Sequence, residues 1–171
     1  VRPPDPTGPV VLVPRAGQDT LNSALESLAL HLADEGVPLA AAAFHPRQDA
    51  PAVARLAHLV PGLEIRDAAS PVAALTALGG ARYVVSVRLH GCVLAARLGV
   101  GFAGLSYDPK VRGFLAQAAA PAFQRPVDER ALLNLVRAAP PPAEHATLHL
   151  TRLADEGLDW LAGELTASRR R

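Results

Sequence analysis

Methionine is absent from this chain, and cysteine occurs once, as Cys92. One thiol excludes an intrachain disulfide and suits a reducing compartment. Aromatic residues make up only 4% of the sequence, and the 50% that is hydrophobic is mostly alanine, leucine and valine. In so alanine-rich a composition, runs of alanine carry little structural information. A formal net charge of +1 points neither to a nucleic-acid partner nor to an acidic substrate. No apolar run approaches the ~20 residues of a membrane helix, and no signal-peptide pattern opens the chain. Glycine-rich phosphate loops of the GxGxxG and P-loop kinds are missing, which argues against a nucleotide bound in those ways. There is no solenoid-type repeat. The missing methionine and the start at Val1 lead us to expect a fragment whose N-terminal partner domain is not included.

What is present is a chain of 171 residues, enough for one domain with a real core. Residues 1–9 (VRPPDPTGP) read as a proline-rich interdomain linker, and 10–171 as the domain. Val10 to Val13 is a short strand ending at Pro14-Arg15. Leu21, Ala24, Leu25, Leu28 and Leu32 keep helical spacing up to Gly36. Val37 to Phe44 predicts a second strand, His45 to Asp49 a turn, and about Ala50 to Val60 a helix that Pro61-Gly62 stops. Leu63 to Arg66 is a weaker strand, and Ser70-Pro71 opens a short helix that ends at Gly79-Gly80. Phe123 to Arg125 reads as a sixth strand, and Asp128 caps a helix carrying Leu132, Leu133, Leu135 and Val136. After Pro140-Pro141-Pro142, a last helix is expected over about Glu144 to Ala167, followed by a solvated run of three arginines.

The stretch that organises the chain is Arg82 to Leu115. Tyr83-Val84-Val85-Ser86-Val87 is a buried-strand pattern, Arg88-Leu89-His90-Gly91 follows, and Val93 to Leu98 is helical up to Gly99. Val100 to Leu105 is the next strand. Ser106-Tyr107-Asp108-Pro109-Lys110 then starts another helix, with Asp108 as its cap and Pro109 in the first turn. Strands alternating with helices predict an α/β fold, a three-layer Rossmann-like domain with a mostly parallel sheet. Right-handed crossovers put every strand-to-helix turn on one edge. Those turns carry Arg15; His45, Arg47 and Asp49; Asp67 and Ser70; Arg88 and His90; Tyr107 to Lys110. The opposite turns are glycine and proline punctuation. Function is expected on the carboxyl edge, where α/β folds bind ligands. Cations from two neighbouring corners, Arg88 and Lys110, would there converge on a small polyanion beside helix N-termini.

Val85-Ser86-Val87-Arg88-Leu89-His90-Gly91, followed by Leu105-Ser106-Tyr107-Asp108-Pro109-Lys110-Val111 and Gly113-Phe114-Leu115, resembles the polysaccharide pyruvyltransferases, most nearly their bacterial cell-wall (CsaB-like) type. The resemblance implies an enzyme that moves the pyruvyl group of phosphoenolpyruvate onto a sugar as a cyclic ketal and releases phosphate, with no cofactor. It implies the C-terminal, donor-binding half of a molecule shaped like a GT-B glycosyltransferase. Arg88 would pair with the phosphate or carboxylate, and His90 would donate to phosphate or act as proton donor. Lys110 is the candidate for a second anion contact and Arg15 a weaker one. His45, Arg47, Asp49, Ser106 and Tyr107 would form the rim. The expected partners are phosphoenolpyruvate, a cell-wall polysaccharide or lipid-linked sugar acceptor, and the absent N-terminal domain. The expected location is the cytoplasm, with peripheral attachment to the inner membrane face and a role in S-layer anchoring.

Blander readings exist for each of these residues. On these, Arg88 only caps carboxylates at a sheet edge, Lys110 is an ordinary first-turn lysine, Asp108 a helix cap, and Tyr107 a packing residue. Cys92 reads as a small buried hydrophobe. His145 and His149 have zinc-like spacing without a third ligand, so no metal is expected. Two rival functions are a nucleotide-sugar glycosyltransferase or epimerase of GT-B shape, and a non-catalytic interaction domain on the same fold. The first lacks a ribose-gripping glutamate near Arg88 to Lys110.

Overall fold

A computed structural model describes residues 2–143. Its elements run β1 (Val10–Val13), α1 (Asp19–Asp34), β2 (Leu39–Ala43), α2 (Pro46–Leu59), β3 (Glu64–Asp67) and α3 (Pro71–Leu78). They continue with β4 (Tyr83–Ser86), α4 (Leu89–Arg97), β5 (Phe102–Leu105), α5 (Pro109–Gln117), β6 (Ala122–Phe123) and α6 (Glu129–Ala138). The expected last helix and the His145–His149 pair lie outside the described residues. The six strands form one sheet in the order β3-β2-β1-β4-β5-β6, and every pairing is parallel. The three-layer Rossmann-like fold is therefore as expected.

Strand periodicity divides the core in two. Val10, Leu12, Tyr83, Val85 and Leu105 face α1, α2 and α6, meeting Leu21, Leu25, Leu28, Leu56, Leu132 and Val136. Val11, Val13, Ala40, Ala42, Val84 and Phe102 face α3, α4 and α5, meeting Leu78, Cys92, Ala95, Val111 and Leu115. A strand buried on both faces has no polar face to alternate with, which is why β1 and β4 read as continuous apolar runs. β2 is built of Leu and four alanines. Its burial between two helix layers overrides the low strand propensity of alanine. The outer strand β3 carries Glu64, Arg66 and Asp67, charges of the sort that discourage edge-to-edge pairing.

Helix ends follow local chemistry. Asp108 accepts from the Lys110 N–H at 2.7 Å, Ser70 from Ala73 and Asp128 from Ala131. α4 closes on Gly99 at φ 68°, with the Val100 N–H reaching Ala95 O and the Gly99 N–H reaching Ala96 O. That is the paired C-terminal motif that glycine allows without strain.

Several boundaries differ from expectation. α2 begins at Pro46, not near Ala50, because His45 serves as its N-cap position and Pro46 fits the first turn. α4 begins at Leu89, so His90 lies in a helix rather than in a preceding turn. β6 is only Ala122–Phe123, stopping short of Gln124 and Arg125.

Candidate active site at the carboxyl edge

In the order β3-β2-β1-β4-β5-β6 the chain winds outward from β1 to β3, crosses over, and winds the other way from β4 to β6. The switch point lies between β1 and β4, whose registers align Val13 with Ser86. Beyond it the β1 and β4 corners separate toward opposite helix layers, and such a crevice is where open α/β sheets bind ligands. Val87 N–H still donates to Val13 O at 2.9 Å. Arg15 leaves one side of the crevice and Arg88 to His90 the other.

The β4 corner is tightly made. Ser86, fully buried, donates its hydroxyl to Arg88 O at 2.7 Å and accepts from the Arg88 N–H at 3.1 Å. A Cβ on Gly91 would lie 2.3 Å from Ser86 Oγ and 3.0 Å from its Cβ, so only glycine lets α4 start this close to the strand. No side chain caps α4. In its first turn the Gly91 N–H reaches Arg88 O at 3.1 Å, whereas the Leu89 and His90 N–H groups lack intrahelical acceptors and carry the positive end of the helix dipole. His90 occupies this turn and is exposed. Cys92 follows two residues later, fully buried. Burial pushes its thiol up to about 12, against a smaller opposing effect of Ser86, which leaves it the inert apolar residue expected.

Arg88 does not offer a free guanidinium, and here the expectation is corrected. Its Nε donates to Asp49 Oδ2 at 2.7 Å and its Nη2 to Asp49 Oδ1 at 2.6 Å. The two side chains are 7% and 0% exposed. Arg88 therefore turns toward the β2 corner rather than joining Lys110 from the β5 corner over one pocket. The physical reason is the early start of α2. Asp49 sits inside the helix and points inward, instead of on a turn at the rim.

Asp49 also accepts from the backbone N–H groups of Ala16 and His45, both at 3.1 Å. Burial alone raises its pKa. The Arg88 hydrogen bonds, with those of Ala16 and His45, outweigh that and hold the carboxyl below its ordinary value.

Arg15 is more prominent than its standing as the weaker candidate suggested. Its N–H donates to Asn22 Oδ1 at 3.1 Å, and its carbonyl accepts from Asn22 Nδ2 at 2.7 Å. Its guanidinium carbon lies 4.6 Å from the centre of the Tyr107 ring. Because β5 lies beyond β4 in the sheet, this stacking spans the β4 corner and brings residues of the first and fifth strand ends together. A cation–π contact of this kind contributes about 0.5–1 kcal/mol where solvent reaches it. Asn22 was not anticipated. Its signal was an amide next to Leu21, at the start of the leucine-spaced face of α1.

The remaining predicted residues divide. Lys110 is exposed in the first turn of α5. Ser106 is buried and donates to Asp108 O at 3.1 Å, which makes it part of the corner rather than of a rim. His45 and Arg47 are exposed and line a hollow of about 390 Å³ with Pro46 and Gln48. A larger hollow of about 920 Å³ runs along β3 and α3 past Arg2, Glu64 and Arg66. It contains none of the cations of the switch point, and its size does not make it the site. Among the described residues, no three His, Cys, Asp or Glu side chains are grouped as a metal ion requires. Among them, too, no helix is long and apolar enough to cross a membrane.

A doubly wound parallel sheet with arginine, histidine and an uncapped helix at its switch point defines a Rossmann-like α/β domain. The family model for polysaccharide pyruvyl transferases matches residues 4–109, more than half of the chain, and the chain belongs to that transferase family. The match takes in Arg15, Asp49, Arg88, His90 and Tyr107 and ends one residue before Lys110. No curated protein matches the chain closely.

Proposed function

We propose that this domain binds phosphoenolpyruvate at the switch point between β1 and β4 and transfers its pyruvyl group to a sugar of a cell-wall polysaccharide or its lipid-linked precursor. The observation that carries this reading is the Arg15 guanidinium held over Tyr107, across the corner where α4 starts without a side-chain cap. Phosphoenolpyruvate is compact and carries a carboxylate and a phosphate. A planar guanidinium suits either, and helix N–H groups suit the phosphate.

In the reaction two sugar hydroxyl oxygens form bonds to C2 of the enol, and the bond from C2 to the phosphate oxygen breaks. Of the two hydroxyl protons released, one ends on C3, which becomes a methyl group, and the other accompanies the departing phosphate. Negative charge grows on the leaving phosphate, so fixed cations and N–H dipoles beside it lower the barrier. In this reading His90, exposed in the first turn of α4, donates a proton to C3 or to the phosphate. Lys110 from the β5 corner adds a second positive charge. Arg88, committed to Asp49, shapes the corner from behind. The acceptor sugar approaches from the open side of the edge, in the manner of a second domain closing over it.

Calorimetric titration tests the donor. Phosphoenolpyruvate should release or absorb heat that Arg15→Ala abolishes. A nucleotide sugar that binds where phosphoenolpyruvate does not would replace this reading with that of a glycosyltransferase. Binding of neither would leave an interaction domain.

A further inference from the structure

The carboxylate of Asp49 has no exposed surface. It accepts four hydrogen bonds, and these come from three separate strand ends. Ala16 N–H lies after β1 and His45 N–H after β2, while Arg88 Nε and Nη2 lie after β4. Each donor adjoins a residue or helix start of the candidate site. Ala16 follows Arg15, His45 begins α2, and Arg88 precedes the α4 turn that bears His90.

Stability alone does not account for such a pair. A buried ion pair is commonly no more stabilising than apolar side chains of the same volume, because two charges are desolvated to make it. What it supplies here is position. Four acceptor directions on one rigid carboxylate fix the spacing of the Arg15 loop relative to the α4 corner. The strand pairing does not do this, since the β1–β4 ladder ends at Val13 and Val87.

We infer that Asp49 is a positioning residue of the donor site. Through Ala16 and Arg88 it sets the distance between the Arg15 guanidinium and the first turn of α4, and so the size of the anion the crevice accepts. Asp49 touches no substrate itself. The inference rests on the donor-site reading above.

The test is titration of phosphoenolpyruvate into wild type, Asp49→Asn and the apolar double variant Asp49→Leu/Arg88→Met, with thermal melting of each. Asp49→Asn keeps the shape but loses the second acceptor oxygen and releases Arg88. Affinity should fall about ten- to a hundredfold in the folded protein, as expected for misplacing a charge-assisted contact. The double variant should fold without a buried unpaired charge and show the same loss. Protection of the Ala16 and His45 amides from hydrogen exchange should fall in both variants.

Wild-type affinity in folded Asp49→Asn would overturn the inference, since a merely structural carboxylate moves melting but not binding. Tighter binding in Asp49→Asn would overturn it as well, making Arg88 a direct ligand that Asp49 restrains. Should Asp49→Asn fail to fold, undiminished affinity in the double variant overturns it equally. Wild type that binds no phosphoenolpyruvate is a different failure, that of the donor-site reading.

Discussion

Arg88 and Asp49 lie 39 residues apart in sequence, and what happens when one is removed depends on the charge left behind. Arg88→Met strands a carboxylate with no exposed surface, which should cost about 3–5 kcal/mol of folding stability in denaturant titration. Adding Asp49→Leu should restore most of that loss, because the pair as a whole is nearly neutral against apolar packing. The same carboxylate gives stability a pH dependence. Its folded-state pKa lies below the ordinary value of 3.8, so between the two values the unfolded chain binds more protons than the folded one. The Asp49 contribution is thus fully present above about pH 5 and is lost as pH falls through 4 and below. Acid denaturation of Asp49→Asn should accordingly show a shallower slope in that range than wild type. Asp5 and Glu35 also have lowered values. Both are exposed, so solvent screening leaves them a minor part of the acid transition.

At the scale of elements, the corner between β4 and α4 depends on one missing side chain. Alanine at Gly91 would place its Cβ 2.3 Å from Ser86 Oγ, and Ser86 has no room to yield because it holds Arg88 at both its N–H and its carbonyl. Gly91→Ala should destabilise the domain by about 1–3 kcal/mol, the usual cost of overpacking, and thermal melting would reveal it. Strands and helices of this kind were legible because their causes are local. The apolar runs of β1 and β4, the leucine spacing of α1 and the caps at Ser70, Asp108 and Asp128 all lie within a few residues of what they determine. The start of α2 was misread because His45, Pro46 and Asp49 suit a turn as well as a helix entrance. Settling between them takes the Ala16 N–H, which is 33 residues away. Which cations face outward was not legible for the same reason. Arg88 and Arg15 are equally charged in the sequence, and only the fold gives one an acidic partner and the other an aromatic face.

For the molecule as a whole, winding order decides which corners meet. β1 and β4 are neighbours only because the chain reverses between β3 and β4, and that reversal brings Arg15 to the crevice where His90 starts its helix. A ligand bound across this seam links both halves of the sheet, whereas one bound along β3 would touch a single edge. Binding should therefore show as stabilisation of the complete domain. At a phosphoenolpyruvate concentration a hundredfold above its Kd, mass action contributes about 2.7 kcal/mol. For a chain of this length that raises the melting temperature by about 5–10 °C. In Arg15→Ala the shift should vanish while the unliganded melting temperature changes little, because the residue is only half-buried and its side chain contributes just the Tyr107 contact. Arg88→Met should do the reverse at the start, with a low unliganded melting temperature from the stranded Asp49. The two arginines are thus separable in one melting series, because both variants weaken the ligand shift but only Arg88→Met lowers the unliganded melting temperature. An unchanged ligand shift in Arg15→Ala would move the anion away from the β1 corner and take the switch-point site with it.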